Sequence, residues 1–103
     1  MKLPNSGKAW IEEPKLTGYL LDPEHEKGKA GFFQTHGFGR LTLEEALLQH
    51  AQSAEVVSHR ETTYGLRFVL EGPLEAPDGR RPNVRSVWQV EDGRPRFITA
   101  HPH

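Results

Sequence analysis

Val84-Arg85-Ser86-Val87-Trp88-Gln89-Val90, followed by Asp92-Gly93 and then Arg96-Phe97-Ile98-Thr99-Ala100-His101, is the stretch that decides the fold. Two runs rich in β-branched and aromatic residues flank an Asp-Gly pair, the residue pair best able to adopt the positive backbone angles of a two-residue hairpin turn. Such a turn sets Glu91 opposite Arg94. Counting outward then sets Trp88 opposite Phe97, Ser86 opposite Thr99 and Val84 opposite His101. On that count Thr99 and His101 share one face and Arg85 lies on the other, an assignment that a bulge near Pro95 would change. Pro95 has no N–H to give to a neighbour, so it predicts an edge position for the last strand near the turn.

Upstream, Glu55-Val56-Val57-Ser58-His59-Arg60-Glu61-Thr62 reads as a strand that turns at Tyr64-Gly65 into Leu66-Arg67-Phe68-Val69-Leu70. The segment Glu71 to Asn83 holds three prolines, two glycines and the turn signal Pro77-Asp78-Gly79, and predicts a surface loop. The first half of the chain has a helical period instead. Two acids precede Pro14, and Leu16, Tyr19 and Leu20 follow at i, i+3 and i+4, which predicts a short helix with those three on its buried face. Lys29 to His36 predicts a second short helix ending near Gly37, with Phe32, Phe33 and Phe38 in the core. Thr42-Leu43-Glu44-Glu45 has the form of a capping box, and Leu43, Ala46, Leu47 and His50 continue it at helical spacing. The expected fold is α+β, with short N-terminal helices packed on a C-terminal four-stranded antiparallel sheet. The expected core includes Leu16, Leu20, Phe32, Leu47, Phe68 and Trp88.

The 103 residues suit one domain spanning 1–103, and no shift of composition divides them. Thirteen Lys+Arg against fourteen Asp+Glu leave a formal charge of −1, so nucleic-acid binding would need a local patch. Cysteine is absent, which excludes disulfides, zinc thiolates and a thiol nucleophile. Met1-Lys2-Leu3-Pro4-Asn5 leads into polar residues, and no run approaches the roughly 20 apolar residues of a membrane span, so a cytoplasmic location without membrane partners is expected. No repeat, phosphate-binding Gly loop, Gly-x-Ser-x-Gly elbow or His-Glu-x-x-His motif occurs.

Several segments together resemble the bacterial domain-of-unknown-function family 6883. They are Leu3-Pro4-Asn5, Lys15 to Leu21, His25 with Gly28-Lys29-Ala30, Phe32-Phe33, Gly37-Phe38 and Tyr64-Gly65, followed by Glu71-Gly72-Pro73-Leu74, Pro77 to Arg85, Val87-Trp88 and Thr99-Ala100-His101-Pro102. The Tyr-Leu-Leu helix, the Gly-Lys-Ala helix start and the terminal Thr-Ala-x-Pro strand are also similar, more loosely, to the barnase-like and colicin-like ribonuclease domains of bacterial toxins. Those domains place helices before a four-stranded antiparallel sheet and cleave RNA without metal, using His, Lys or Arg, and Ser or Thr. Here His101 stands where they usually carry tyrosine.

Cleavage of RNA through its own 2′-hydroxyl needs a base, an acid and fixed donors for the charge that grows on phosphate. The candidates are His25 and Lys29, four residues apart at a helix start, together with Arg85 and Thr99; Arg67, Arg81 and His101 are candidate substrate-binding residues. Each has a plainer explanation. A loop histidine and a helix-start lysine are usually solvated, a strand arginine usually finds a carboxylate, and threonine is favoured in strands anyway. His103 is expected in a frayed terminus, and His36, His50 and His59 show no shared spacing, so no metal site or cofactor is expected. The leading expectation is a metal-independent ribonuclease acting on RNA. The alternatives are an inert module that binds a small operon-encoded partner, such as half of a toxin–antitoxin pair, through the sheet or its Pro95 edge, and a domain with an apolar small-molecule pocket.

Overall fold

The computed structural model describes residues 1–21 and 30–103, apart from the side chains of Tyr19 and Ala30. A 3-10 turn at Ser6–Lys8 precedes α1 (Glu13–Lys15), which runs on as a π-helical turn over Leu16–Leu20; α2 (Ala30–Thr35) and α3 (Arg40–Ser53) follow. Four strands complete the chain: β1 (Glu55–Thr62), β2 (Gly65–Pro73), β3 (Asn83–Glu91) and β4 (Arg94–Pro102). They pair antiparallel in the order β1-β2-β3-β4, the α+β architecture that the sequence predicts.

Asp92 and Gly93 both take positive φ, 52° and 74°, as a two-residue hairpin turn requires, and Glu91 faces Arg94. Trp88 lies opposite Phe97, as counted from the sequence. Beyond that pair the register shifts: Ile98 is unpaired, and Val87 faces Thr99, Ser86 faces Ala100 and Arg85 faces His101. The bulge therefore overturns the regular count, because one extra residue exchanges the two faces of everything after it. Pro95 does lie on an edge strand, but that edge is covered. Trp10 N–H donates to Pro95 O at 3.0 Å and Phe97 N–H donates to Trp10 O at 3.0 Å, while the Arg94 guanidinium sits 5.5 Å from the Trp10 ring centroid.

The face of the sheet toward the helices carries Phe68, Leu70, Val84, Ser86, Trp88, Phe97 and Ala100, all buried. Leu16 and Leu20 from the first helical segment, and Leu43 and Leu47 from α3, cover it, each fully buried. Phe33 and Phe38 are buried as expected, but Phe32 is only half-buried, contrary to expectation. In a helix as short as α2 the phase decides which of two adjacent phenylalanines turns inward. Phe33 meets Phe32 and Phe38 edge-to-face at 5.1 and 6.0 Å, whereas Phe32 reaches the His36 ring at 4.9 Å. The start of α3 also differs. Its N-cap is Gly39, and Thr42 stands inside the first turn, where its hydroxyl accepts the Gly39 N–H at 2.9 Å.

One polar cluster joins α3 to the sheet. His50 Nε2 lies 3.1 Å from the Gly72 carbonyl, which only accepts, so Nε2 carries the proton and Nδ1 is the acceptor. Ser86 Oγ, 2.8 Å from Nδ1, therefore donates to His50 and itself accepts Trp88 Nε1–H at 2.9 Å. Each member of this buried chain is satisfied in one arrangement of protons. Gly72 permits the approach, since a Cβ there would lie 3.2 Å from Ala54 Cβ.

Phe68→Ala removes a buried side chain that stacks beside the ring of its cross-strand neighbour His59, and is expected to cost about 3–5 kcal/mol. Denaturant unfolding measures this, and a loss below about 1 kcal/mol would remove Phe68 from the core. The His50 cluster has its own pH signature. Burial holds His50 below its ordinary value of 6.5, so the unfolded chain takes up the proton first as pH falls. This contribution to stability is complete above about 6.5 and is lost as pH drops from there toward the folded value. His50→Gln keeps a donor and an acceptor but cannot titrate, so its stability is expected to fall less on acidification than that of the wild type. Parallel pH–stability curves would contradict this account.

Candidate anion-binding site on the open sheet face

The opposite face of the sheet carries the candidate residues of β2, β3 and β4, because strand alternation sends every second side chain away from the helices. Register places these residues in three cross-strand rows. The first is Arg60, Arg67, Gln89 and Arg96; the second is Ser58, Val69, Val87 and Thr99; the third is Glu55, Glu71, Arg85 and His101. Neighbouring rows lie about 7 Å apart, two residues along a strand. The bulge at Ile98 creates this arrangement on β4, for without it Thr99 and His101 would face the helices. Arg67, Arg85, Thr99 and His101 thus share one face.

Arg85 is engaged on that face. Its Nε donates to Glu71 Oε2 at 2.7 Å and a terminal nitrogen donates to the same oxygen. The other Glu71 oxygen lies 3.1 Å from His103 Nε2. His103 is not a frayed end, since its backbone N–H donates to Asn83 O at 3.0 Å. In the first row Arg67 Nε donates to Gln89 Oε1 at 3.1 Å, and the buried Gln89 amide donates to Thr62 Oγ1 at 3.0 Å. Arg96 lies 2.9 Å from Glu91 and 3.4 Å from Glu12, and the hydrogen bond to Glu91 raises its pKa above the ordinary value.

The basic tract between Asp78 and Arg85 is neutralised within itself and by its neighbours. Arg80 pairs with Asp78 at 2.7 Å, and its backbone N–H holds the Asp78 carboxyl below the ordinary carboxylate value. Arg81 pairs with Glu75. It borders a hollow of about 200 Å3 together with Gln49, His50 and Ser53 of α3, so it stands apart from Arg67 and Arg85. His25 and Lys29 lie outside the described residues. Among the described residues, no three His, Asp or Glu side chains are grouped to hold a metal ion.

Arg60, Glu71 and His103 belong to this surface and were not candidates from the sequence. Glu71 reads there as the first residue of a loop, but β2 continues to Pro73. The pair Ser86–His50 has the distance of an activated hydroxyl, yet both residues are buried and Ser86 Oγ is occupied by Trp88, so it is a structural contact.

No described helix is long and apolar enough to cross a membrane. No curated protein matches the chain in sequence. Among solved structures it is similar to a chain of the contact-dependent growth inhibition toxin–immunity protein complex from Klebsiella pneumoniae 342, with 22% identity and a TM-score of 0.71 over 94% of this chain and 95% of that one. At that identity the likeness shows a shared fold. The family is shown by sequence: the model described as domain of unknown function DUF6883 matches residues 2–103, and the chain belongs to that family.

Proposed function

We propose that this chain is the ribonuclease-like part of a bacterial toxin system, with the open sheet face as its RNA-binding surface. The observation that carries the reading is the Ile98 bulge, which gathers Arg85, Thr99 and His101 on one face beside Arg67. The fold shared with a toxin–immunity complex supports the system assigned. In the proposed reaction the 2′-oxygen attacks phosphorus as a base takes its proton, and the bond from phosphorus to the 5′-oxygen breaks as an acid protonates the leaving oxygen. The products are a 2′,3′-cyclic phosphate and a free 5′-hydroxyl. His25 and Lys29 handle the proton and the growing charge, Arg85 and Thr99 hold the phosphate oxygens, and His101 and Arg67 bind the flanking chain. Arg85 is held by Glu71, so a phosphate must compete with that carboxylate.

A second reading follows from the same ion pairs. Arg81 and Arg85 already have carboxylate partners, and β1, exposed from Val57 to Glu61, ends the sheet. An inert module would accept a strand of a small partner protein along β1.

The discriminating experiment is cleavage of RNA by highly purified protein in excess chelator. Removal of a general acid or base, in folded His25→Ala or Lys29→Ala, is expected to slow the reaction by roughly 10²–10⁴-fold. Arg85→Ala and Thr99→Ala are expected to lose activity as well. Equal trace activity in all proteins would leave the inert module. Glu71→Gln offers a further check, because it frees Arg85. It is expected to bind single-stranded RNA several-fold more tightly than the wild type, and unchanged affinity would remove Arg85 from the site.

A further inference from the structure

We infer that Arg60 and Arg67 form a second phosphate-binding site, a clamp on single-stranded RNA at the hairpin end of the sheet. The inference deepens the nucleic-acid reading above and rests on it, but it concerns binding rather than cleavage. Arg60 faces Arg67 directly across β1 and β2, and like charges so placed destabilise a sheet unless something offsets them. Among the described residues no carboxylate is ion-paired with either arginine, although Glu61, next to Arg60 in the chain, borders one of the two hollows beside the pair. Arg40, Arg80, Arg81, Arg85 and Arg96 each face an acid and Arg94 lies over Trp10, whereas Arg67 meets only the neutral Gln89. The missing counter-charge is what an oxyanion would supply.

The pair is also prepared for a ligand. Gln89 holds Arg67 by Nε, the nitrogen nearest the chain, and is itself fixed by Thr62, whose hydroxyl donates to Gly65 O at 2.9 Å. Gly65 sits at φ 136°, and a Cβ there would lie 2.2 Å from Val90 O, so this close approach of β2 to β3 requires glycine. Holding Nε leaves the two terminal nitrogens of Arg67 for a phosphate, which a guanidinium grips with two parallel hydrogen bonds.

Two hollows share the two arginines. One, of about 340 Å3, has Val69 and Val87 in its wall, and the other, of about 380 Å3, is bordered by Tyr64, which is 78% exposed. A phosphate at the shared wall would place one flanking base against the valines and the other near the Tyr64 ring. Apolar or aromatic surface beside cations is how single strands are bound without regard to sequence.

The test uses a 5′-labelled 2′-O-methyl RNA dodecamer, which binds but cannot be cleaved through the 2′-oxygen, with affinity read by fluorescence anisotropy from 50 to 200 mM salt. Arg60→Gln and Arg67→Gln are each expected to weaken binding about 10-fold and to lower the salt slope by about 0.7, the change for one lost phosphate contact on a single strand. Arg80→Gln removes the same charge from a residue held by Asp78 and is expected to leave binding unchanged. Equal weakening by all three variants would overturn the clamp as a general effect of charge, and so would tight, Arg60-dependent binding of a poly-glutamate peptide in place of RNA. Titration of the wild type with inorganic phosphate, followed at the arginine Nε–H resonances, is independent of how the variants fold. Selective shifts at Arg60 and Arg67 are expected, and their absence would refute the site. Clamp-dependent binding without cleavage of ordinary RNA would leave the clamp standing and refute the nuclease; cleavage that Arg60→Gln leaves unchanged, with RNA binding also unchanged, would refute the clamp and leave the nuclease standing.

Discussion

One unpaired residue, Ile98, sets the phase of the last strand, and the two faces of the sheet depend on it. Before it, Phe97 points at Trp88 in the core, edge-to-face at 5.3 Å; after it, Ala100 takes the inward position opposite Ser86 and the polar Thr99 and His101 turn outward. The small Ala100 therefore lies opposite the hydroxyl on which His50 and Trp88 converge. The same shift that admits a satisfied polar cluster to the core gives the outer face its histidine and threonine. A second shift, at the unpaired Val57 of β1, brings Glu55 onto the same open face as Ser58 and Arg60.

The distribution of charge on that outer face is uneven in a way that net charge conceals. In the third row Arg85 is countered by Glu71, and Glu71 also meets His103, so binding there must displace an internal partner. In the first row Arg60 and Arg67 face each other with no acid between them among the described residues, while Arg96 at the far end is flanked by two. A polyanion laid across the sheet would meet an uncompensated pair and a compensated arginine, with Val69 and Val87 between them. The first is suited to affinity and the second to switching, because an ion pair that must open releases its arginine only to a stronger anion.

Most of the fold is legible in the sequence because its signals are local. The Asp92-Gly93 turn, the β1 and β2 runs and the period of α3 each follow from residues close together in the chain. The misreadings arise where tertiary packing chooses between local equivalents. Thr42 can serve as a cap or stand within the first turn, since its hydroxyl accepts an N–H from either position, and Gly39 took the cap. Phe32 and Phe33 are interchangeable in composition and only the phase of α2 separates them. Glu71 looks like the start of a proline-rich loop, yet pairing with Arg85 extends β2 through it. The site was legible as a set of residue types and not as a surface. Ile98-Thr99-Ala100 bears no mark of a bulge, so the meeting of Arg85 with Thr99 and His101 was hidden, and the cross-strand Arg60–Arg67 pair emerges only from register. His25 and Lys29 carry the catalytic part of the reading and lie outside the described residues.

The proposed nucleic-acid surface is the open face that carries His101, not the side beneath α3. Imidazole 1H–15N resonances report it directly, because His101 lies on the open face and His50 is buried against Gly72 and Ser86. On titration with a non-cleavable single-stranded RNA, the His101 signals should move and saturate while those of His50 stay fixed. Movement at His50 with His101 unperturbed would place the ligand on the other side of the sheet and contradict the account.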